Sequence, residues 1–155
     1  MDWLSEIVSG KELDSAKRER TKDYIFTTQV EEAQARYESD GWEFDRALAR
    51  RRVKLKKKKP TDEIFENRVW TMLYKLGFSH MNRDRSFSVD YCQNGKSSSK
   101  QIDVLAADNE ILLLIECKCA NRPGTQSNFK TDIEAIADYR RHVFNQLKQK
   151  FPTQK

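Results

Sequence analysis

The stretch from Gln101 to Cys119, QIDVLAADNEILLLIECKC, is the most apolar part of this 155-residue chain, yet it carries charges near both ends. Apolar runs flank the dipeptide Asp108-Asn109, which tolerates tight turns, so the stretch predicts two paired strands. Asp103, Glu116 and Lys118 would then lie in or beside a buried hairpin. Lone charges are costly in a protein interior, so these three residues need partners or a chemical task.

The turn length decides which side chains share a face of this hairpin. With two residues in the turn, Asp103 would lie opposite Leu114, and Glu116 would be its diagonal neighbour, roughly 7 to 8 Å away at the backbone. Lys118 would lie on the same face, because side chains alternate along a strand. Two carboxylates at this spacing suit a hard cation such as Mg²⁺, which keeps several waters and needs few protein ligands.

Three cysteines, an odd number, fit buried thiols in a reducing compartment better than a disulfide framework. Cys117 and Cys119 would face away from the acids, together with Ile115, as core residues. The longest apolar run, Ile111 to Ile115, is far too short to span a bilayer, and the N-terminus lacks a basic region followed by an apolar one. The sequence therefore predicts a cytoplasmic protein without a membrane segment.

The chain after residue 59 predicts a helix, three strands and a second helix. The boundaries are Thr61 to Leu76 with Gly77 closing the helix, Ser86 to Cys92, Gln101 to Ala107, Glu110 to Lys118, and Thr131 to about Lys150 with a capping box of Thr131 and Glu134. Phe65, Val69, Met72, Leu73 and Leu76 form the expected apolar stripe of the first helix. QNGKSSSK reads as a flexible connection. The predicted fold class is α/β, with a central mixed sheet flanked by helices.

Residues 1–59 predict a small basic α+β unit, separated from a domain at 60–155 by the sequence KKKKPTD. Its elements are a short helical segment at Trp3 to Val8, a strand at Tyr24 to Thr28, a helix at Gln29 to Ser39 and a strand or strand pair from Trp42 onward. The intervening SGKELDSAKRER is too polar to predict a core element.

The segment from Arg46 to Lys59 holds four arginines and five lysines and no acid. It is either a solvated linker or a surface for the phosphate backbone of a nucleic acid, and charge alone does not separate nucleic acid from an acidic protein or an anionic membrane. The candidate nucleic-acid contacts are Arg50, Arg51, Arg52, Lys54 and Lys56, with Arg122 and Lys130 on the loop after the hairpin.

The residues "ID", twelve positions and then "ECK" resemble the PD-(D/E)xK nuclease superfamily, which has the restriction-endonuclease-like fold. The resemblance covers about residues 61–150, and the order helix, three strands, helix is similar to the core of that family. Within this superfamily the motif is similar to that of the type IV restriction and archaeal junction-resolvase branches, in which "ECK" is common.

This resemblance implies a Mg²⁺-dependent endonuclease that hydrolyses phosphodiester bonds of DNA, with Mn²⁺ as a substitute metal, in restriction or anti-phage defence. It implies Asp103 and Glu116 as metal ligands, the main-chain carbonyl of Cys117 as a further ligand, and Lys118 as the residue that orients or activates the attacking water. Many members add an acid from the first helix, which matches Glu66 here.

Alternatives to these assignments stay open. Glu63 competes with Glu66, and Asp90 on the neighbouring strand is a further acid. The family core ends with a strand after the last helix, which nothing past Lys150 supplies, so we expect the chain to be the N-terminal piece of a longer protein with further domains. Ile102 stands where the family often has proline.

A second hypothesis is a catalytically silent nucleic-acid-binding module on the same fold, although silent members usually lose the lysine or one acid. A third is an interaction domain whose basic segment binds a partner protein. RNA is an alternative substrate to DNA. Cutting both strands of a duplex with one site per chain calls for two copies, which predicts a homodimer.

Overall fold

A computed structural model describes residues 3–37, 40–93, 95–119 and 129–151. After a 3-10 helix at Trp3–Glu6, the helices are α1 Gly10–Thr21, α2 Val30–Arg36, α3 Thr61–Lys75 and α4 Phe129–Lys150. The strands are β1 Ile7–Ser9, β2 Tyr24–Gln29, β3 Glu43–Leu48, β4 Arg52–Lys57, β5 His80–Asn82, β6 Ser88–Gln93, β7 Lys96–Gln101, β8 Val104–Ala107 and β9 Leu112–Ile115.

These strands form three sheets. The largest has the order β1-β5-β8-β9, a second has the order β2-β4-β3, and β6 pairs with β7. The mixture of helices and strands agrees with the predicted α/β class. The prediction of a mixed central sheet is wrong for the described strands, because each of their pairings is antiparallel.

Strand β8 lies at the centre of the core, and its side chains alternate between two apolar layers. Val104 and Ala106 pack on one side, in a cluster with residues of α1 and α3. Leu105 and Ala107 pack on the other side, in a cluster with residues of β6 and α4. All four side chains are buried, so β8 is held from both faces and its N-terminal end is fixed in place.

The β8-β9 hairpin has a longer turn than the sequence predicted. Ala107 pairs with Leu112 rather than Glu110, which leaves four residues in the turn. The Asp108 carboxylate explains the extra length, because its Oδ1 accepts hydrogen bonds from the main-chain N–H groups of Glu110 and Ile111, both at 2.8 Å. Two extra residues keep the alternation of faces but shift the register by two positions.

Three strands were missed by the sequence prediction. β1, Ile7–Ser9, lies partly in the segment from Trp3 to Val8 that was predicted to be helical. β5, His80–Asn82, joins the central sheet beside β8, although its three residues read as part of a polar turn. β7, Lys96–Gln101, lies in the segment predicted to be a flexible connection and pairs with β6 along its whole length. A polar strand such as β7 carries no apolar alternation because most of it is exposed at a sheet edge.

Helix α3 buries a face that overlaps only in part with the predicted one: Leu73 is buried and Val69 packs against the core, as predicted. Phe65, Met72 and Leu76 of the predicted apolar stripe are exposed. The buried face contains acids and an amide besides apolar residues: Glu63, Glu66, Asn67, Trp70 and Leu73. Thr61 is the first residue of this helix rather than its cap, which is Pro60. Likewise α4 begins at Phe129, so Thr131 lies inside that helix and does not cap it.

The N-terminal segment takes part in the central sheet. β1 pairs with β5, and α1 buries Leu13, Ala16 and Arg20, although its sequence was predicted to be too polar for a core element. The Arg20 guanidinium lies 5.0 Å from the centre of the Trp70 ring and donates to Asn67 Oδ1 at 3.1 Å. β1 and α1 therefore pack against β5 and α3, which follow residue 60 in the chain. The domain boundary between residues 59 and 60 stays a prediction.

None of the described helices combines the length and the apolar composition that crossing a membrane requires.

The side chain of Asn82 ties β5 to the start of β8. It is fully buried, donates to the carbonyl oxygens of Asp84 at 3.0 Å and Asp103 at 3.1 Å, and accepts from the N–H of Leu105 at 3.0 Å. We predict that Asn82→Ala lowers the free energy of unfolding in urea by about 3 kcal/mol, because it leaves buried main-chain groups unpaired. The matched variant is Asn109→Ala in the exposed β8-β9 turn, with an expected change below about 0.5 kcal/mol. Equal effects of the two substitutions would contradict this role of Asn82.

Candidate metal-binding and catalytic site

The candidate site lies at the end of the β8-β9 hairpin away from its turn. The last described pair of this ladder is Val104 with Ile115, so continuing the register by one residue places Asp103 opposite Glu116. The sequence predicted these two acids to be diagonal neighbours on one face. In this extension of the register they lie on one face as a directly opposed pair, which is the closer arrangement.

Asp103 is almost completely buried, with 9% of its surface exposed. Its Oδ2 accepts a hydrogen bond of 2.7 Å from the main-chain N–H of Cys117, which joins the ends of the two strands. Burial raises the pKa of Asp103, and the negative charges of Glu116 and Glu66 raise it further, while the Cys117 N–H and the Lys118 ammonium oppose them. The carboxylate is thus held in a site that disfavours its own charge.

Glu116 has two cationic neighbours on one oxygen and no partner on the other. Its Oε1 lies 3.1 Å from Nζ of Lys118 and 3.3 Å from Nζ of Lys100. Its Oε2 is buried without a hydrogen-bond partner in the described structure. An unpaired buried carboxylate oxygen is costly and calls for a further partner. The side chains of Lys118 and Lys100 are 41% and 32% exposed, so both ammonium groups also reach solvent.

Glu66 projects from α3 toward this pair and is held by Arg85. The Arg85 Nε and Nη2 donate to the two oxygens of Glu66 at 2.5 and 2.7 Å, in a two-pronged pair. This hydrogen bond is the main cause that raises the pKa of Arg85, ahead of the charges of the acids around it. The Glu66 charge also raises the pKa of Asp103, so the structure brings the predicted third acid close enough to Asp103 to act on its charge.

Glu63, the competing acid, is occupied in a different set of contacts. It accepts a hydrogen bond from the Tyr24 hydroxyl, lies 3.4 Å from Nζ of Lys59, and accepts from Arg85 Nη1 at 3.1 Å. Burial would raise the pKa of Glu63, but the Tyr24 and Lys59 contacts outweigh it and lower the pKa below its ordinary value. These contacts join β2 and the segment after β4 to α3, so Glu63 serves the fold and Glu66 is the better candidate for the site.

The charges of the acids also raise the pKa values of the Cys117 thiol and the Tyr139 hydroxyl, after burial as the larger cause. Burial, followed by the charge of Asp103, raises the pKa of the Cys117 thiol to about 11, so it stays protonated at neutral pH. Burial, followed by the charges of Glu116 and Asp103, raises the pKa of Tyr139 on α4 to about 12. Cys117 packs toward the core as predicted, whereas Cys119 is exposed, so its prediction as a core residue is wrong.

The predicted nucleic-acid contacts fall in different places. Arg50 and Arg51 form the connection between β3 and β4, and Arg52, Lys54 and Lys56 alternate along β4. Lys130 is exposed in the first turn of α4, 3.9 Å from Glu134. Arg122 lies outside the described residues.

Two lysines of the same basic segment hold the fold instead of forming a free surface. Nζ of Lys59 donates to the carbonyl oxygens of Glu19 and Arg20 at 3.0 and 3.1 Å. Nζ of Lys57 lies 6.0 Å from the centre of the Trp42 ring. The segment is therefore neither wholly a linker nor wholly a binding surface.

The donor atoms of Asp103 and Glu116 decide whether the site can hold a metal such as Mg²⁺. Within residues 3–37, 40–93, 95–119 and 129–151, no three His, Cys, Asp or Glu side chains are grouped closely enough to hold an ion. Mg²⁺ is commonly bound by one or two carboxylates with several waters, so the opposed Asp103 and Glu116 meet that lower requirement. The unpartnered Oε2 of Glu116 is the atom that such a cation would satisfy.

Sequence reasoning missed Lys100 and Arg85, which pair with Glu116 and Glu66. Lys100 lies on β7, which was predicted to be unstructured, and Arg85 lies in the turn before β6. A hint existed in the sequence, because buried acids require cations. Nothing in the spacing indicates which cations fold against them.

No family model matches the chain, and comparisons with curated proteins and with solved structures find no match either.

The raised pKa of Asp103 predicts a stability that depends on pH. A carboxyl whose pKa is higher in the folded than in the unfolded state favours folding while it is protonated, and that advantage is lost as the pH rises from its ordinary value through the folded value. Asp103→Asn stays uncharged and keeps an acceptor for the Cys117 N–H. We predict that this variant has a higher unfolding midpoint in urea than the original chain at pH 7, and that the difference shrinks toward pH 4.

The control for this prediction is Asp45→Asn in strand β3, whose carboxyl shows no such burial. A midpoint that is equal or lower for Asp103→Asn at pH 7, with the control unchanged, would contradict the raised pKa of Asp103.

Proposed function

We propose that this chain is a metal-dependent endonuclease domain of the PD-(D/E)xK type that hydrolyses phosphodiester bonds of DNA. The observation that carries the proposal is the set of contacts at the open end of the β8-β9 hairpin. Asp103 accepts from the Cys117 N–H, Lys118 lies 3.1 Å from Glu116, and a buried Glu116 oxygen lacks a partner among the described residues. A buried Asp103 and a mostly buried Glu116, 15% exposed, lie with a lysine at one strand end, which is costly for the fold. A cation and a phosphate would offset that cost.

Asp103 and Glu116 would hold the metal, and the resemblance adds the main-chain carbonyl of Cys117. Mg²⁺, or Mn²⁺ in its place, would supply an activated water for attack on phosphorus and neutralise negative charge on the phosphate. The hydrogen bond from the Cys117 N–H fixes the orientation of Asp103, so its carboxylate is already in place for a ligand.

The lysines of the site provide positive charge before and during the reaction. Lys118 and Lys100 share Glu116 Oε1, and both extend to solvent where a phosphate would approach. An ammonium at this position stabilises the charge that develops on phosphate oxygens and helps to orient the attacking water. Lys118 is the proposed catalytic lysine because it belongs to the matched motif, and Lys100 is a second cation that the motif does not include.

Glu66 is the proposed third acid, with Arg85 as the residue that positions it. The two hydrogen bonds from Arg85 fix both oxygens of Glu66 and leave it as a negative charge near Asp103. The proposal extends to a homodimer for cutting both strands, and to restriction or anti-phage defence as the setting.

A second candidate function is a nucleic-acid-binding module without catalytic activity. The favouring observation is that Arg85 occupies both oxygens of Glu66, so only two of the three proposed acids face the site without a two-pronged cation pair. Such a module would bind DNA through the basic hairpin of β3 and β4 in a salt-dependent way.

Cleavage of plasmid and single-stranded DNA in Mg²⁺ or Mn²⁺ tests the proposal. We predict cleavage that stops on addition of chelator, and a rate at least about a hundredfold lower for Asp103→Asn, Glu116→Gln and Lys118→Ala. Electrophoresis of the products measures the rate.

Matched controls for these variants are Glu110→Gln in the β8-β9 turn and Lys96→Ala at the start of β7, both exposed, which should cleave at the original rate. Cleavage that persists in the three site variants would rule out the assignment. Salt-sensitive binding without cleavage under any metal would support the silent module instead.

A further inference from the structure

The connection between β3 and β4 has an unusual backbone. Leu48 pairs with Arg52, so the hairpin turns through Ala49, Arg50 and Arg51. Arg50 and Arg51 have φ values of 58° and 54°, which is the left-handed region that glycine and asparagine enter most easily. Side chains with a Cβ are strained there, so arginine at both positions works against the formation of the turn.

The turn is nevertheless held in one place. The N–H of Val30 donates to the carbonyl oxygen of Arg51 at 3.0 Å, and the Arg51 guanidinium forms an exposed ion pair with Glu31. Exposed pairs of this kind contribute little free energy, so the Arg51 side chain is easily recruited by another anion. Arg50 is exposed beside it, and no described residue forms an ion pair with it.

One face of the β2-β4-β3 sheet is partly covered by α2, with Phe44 still 62% exposed, and the other face is open. Val53 and Leu55 of β4 are buried on the covered face, where Phe26, Tyr37 and Trp42 pack together with ring centres 4.9 to 6.3 Å apart. These ring contacts link β2 to the residues between α2 and β3. The open face carries the side chains that alternate with them along the strands.

The open face is basic and lacks aromatic rings. Cations from β3 and β4 lie on it, with two acids that form pairs at 3.5 and 4.0 Å with the lysines. The cations are Arg46, Arg52, Lys54 and Lys56, and the acids are Glu43 and Asp45. The apolar side chains on this face, Ile25 and Leu48, are aliphatic. Proteins that grip single strands stack bases on aromatic rings, and this face offers none within the described sheet.

We propose that the β3-β4 hairpin docks on double-stranded DNA, with the open face on the phosphate backbone and Arg50 and Arg51 inserted in the minor groove. This inference rests on the proposed function in that it specifies the substrate as a duplex. A narrow minor groove concentrates negative potential and attracts arginine, most of all in A-tracts. The minor groove of duplex RNA is wide and shallow, which favours DNA as the partner. Strain at a pair of exposed arginines is then explained by a binding role.

The test measures binding rather than cleavage. Fluorescence anisotropy in chelator, at fixed salt, follows a labelled A-tract duplex, a GC-rich duplex of equal length and the single strand of the A-tract. The variant combines Arg50→Asn with Arg51→Gly, which removes two charges and supplies the residues that the left-handed turn accepts best. The control combines Lys11→Gln with Arg18→Gln on the exposed side of α1, which removes the same charge.

We expect the original chain to bind the A-tract duplex most tightly. The hairpin variant should lose about tenfold or more in affinity for it and lose its preference for A-tract over GC-rich DNA, while its thermal unfolding midpoint stays equal or rises. The control should lose less than about threefold.

Two results would overturn the inference. One is a hairpin variant that binds the A-tract duplex as tightly as the control, and the other is an original chain that binds the single strand as tightly as the duplex, or binds neither. Failure of the endonuclease proposal can be told apart from failure of this inference. If the original chain binds the duplex, the hairpin variant loses that binding, and no cleavage occurs in Mg²⁺, the endonuclease proposal fails while this inference is supported.

Discussion

The hydrogen bond from the Cys117 N–H to the Asp103 carboxylate is the contact on which the candidate site depends. This 2.7 Å bond lies at the open end of the β8-β9 ladder. The Asp103 carboxylate accepts there in place of a main-chain carbonyl of the partner strand. Asn82 holds the carbonyl of the same aspartate from the neighbouring strand. Asp103 is therefore fixed at both its main chain and its side chain, and Glu116 comes to lie opposite it as a consequence of the register.

This arrangement has an electrostatic cost that extends well beyond the hairpin. Helix α3 buries Glu63 and Glu66, although several apolar residues of the same helix stay exposed. Arg85 binds both of these acids. Lys59 anchors Glu63 and so links the basic hairpin sheet to α3. A fold selected for stability alone would be expected to fill these positions with apolar residues, since buried ion pairs are often no more stabilising than apolar packing.

Much of the site was predictable because alternation along a strand survives an error of two residues. The turn is four residues long instead of two, yet Asp103, Glu116 and the inward Cys117 keep their faces. The sequence could not indicate β5 or β7, since a three-residue strand and an exposed polar strand lack an apolar period. The buried face of α3 was predicted only in part, because its acids are tolerated through Arg85, Lys59 and Tyr24, which lie in separate segments of the chain.

The central claim is that Asp103 and Glu116 together hold one divalent cation. Electron paramagnetic resonance of Mn²⁺ titrated into the protein counts bound ions directly and requires neither DNA nor turnover. The account predicts a bound Mn²⁺ that Mg²⁺ displaces, and loss of that ion in both Asp103→Asn and Glu116→Gln, with Glu110→Gln unchanged. A bound ion that survives both substitutions, or no bound ion in the original chain, would contradict it.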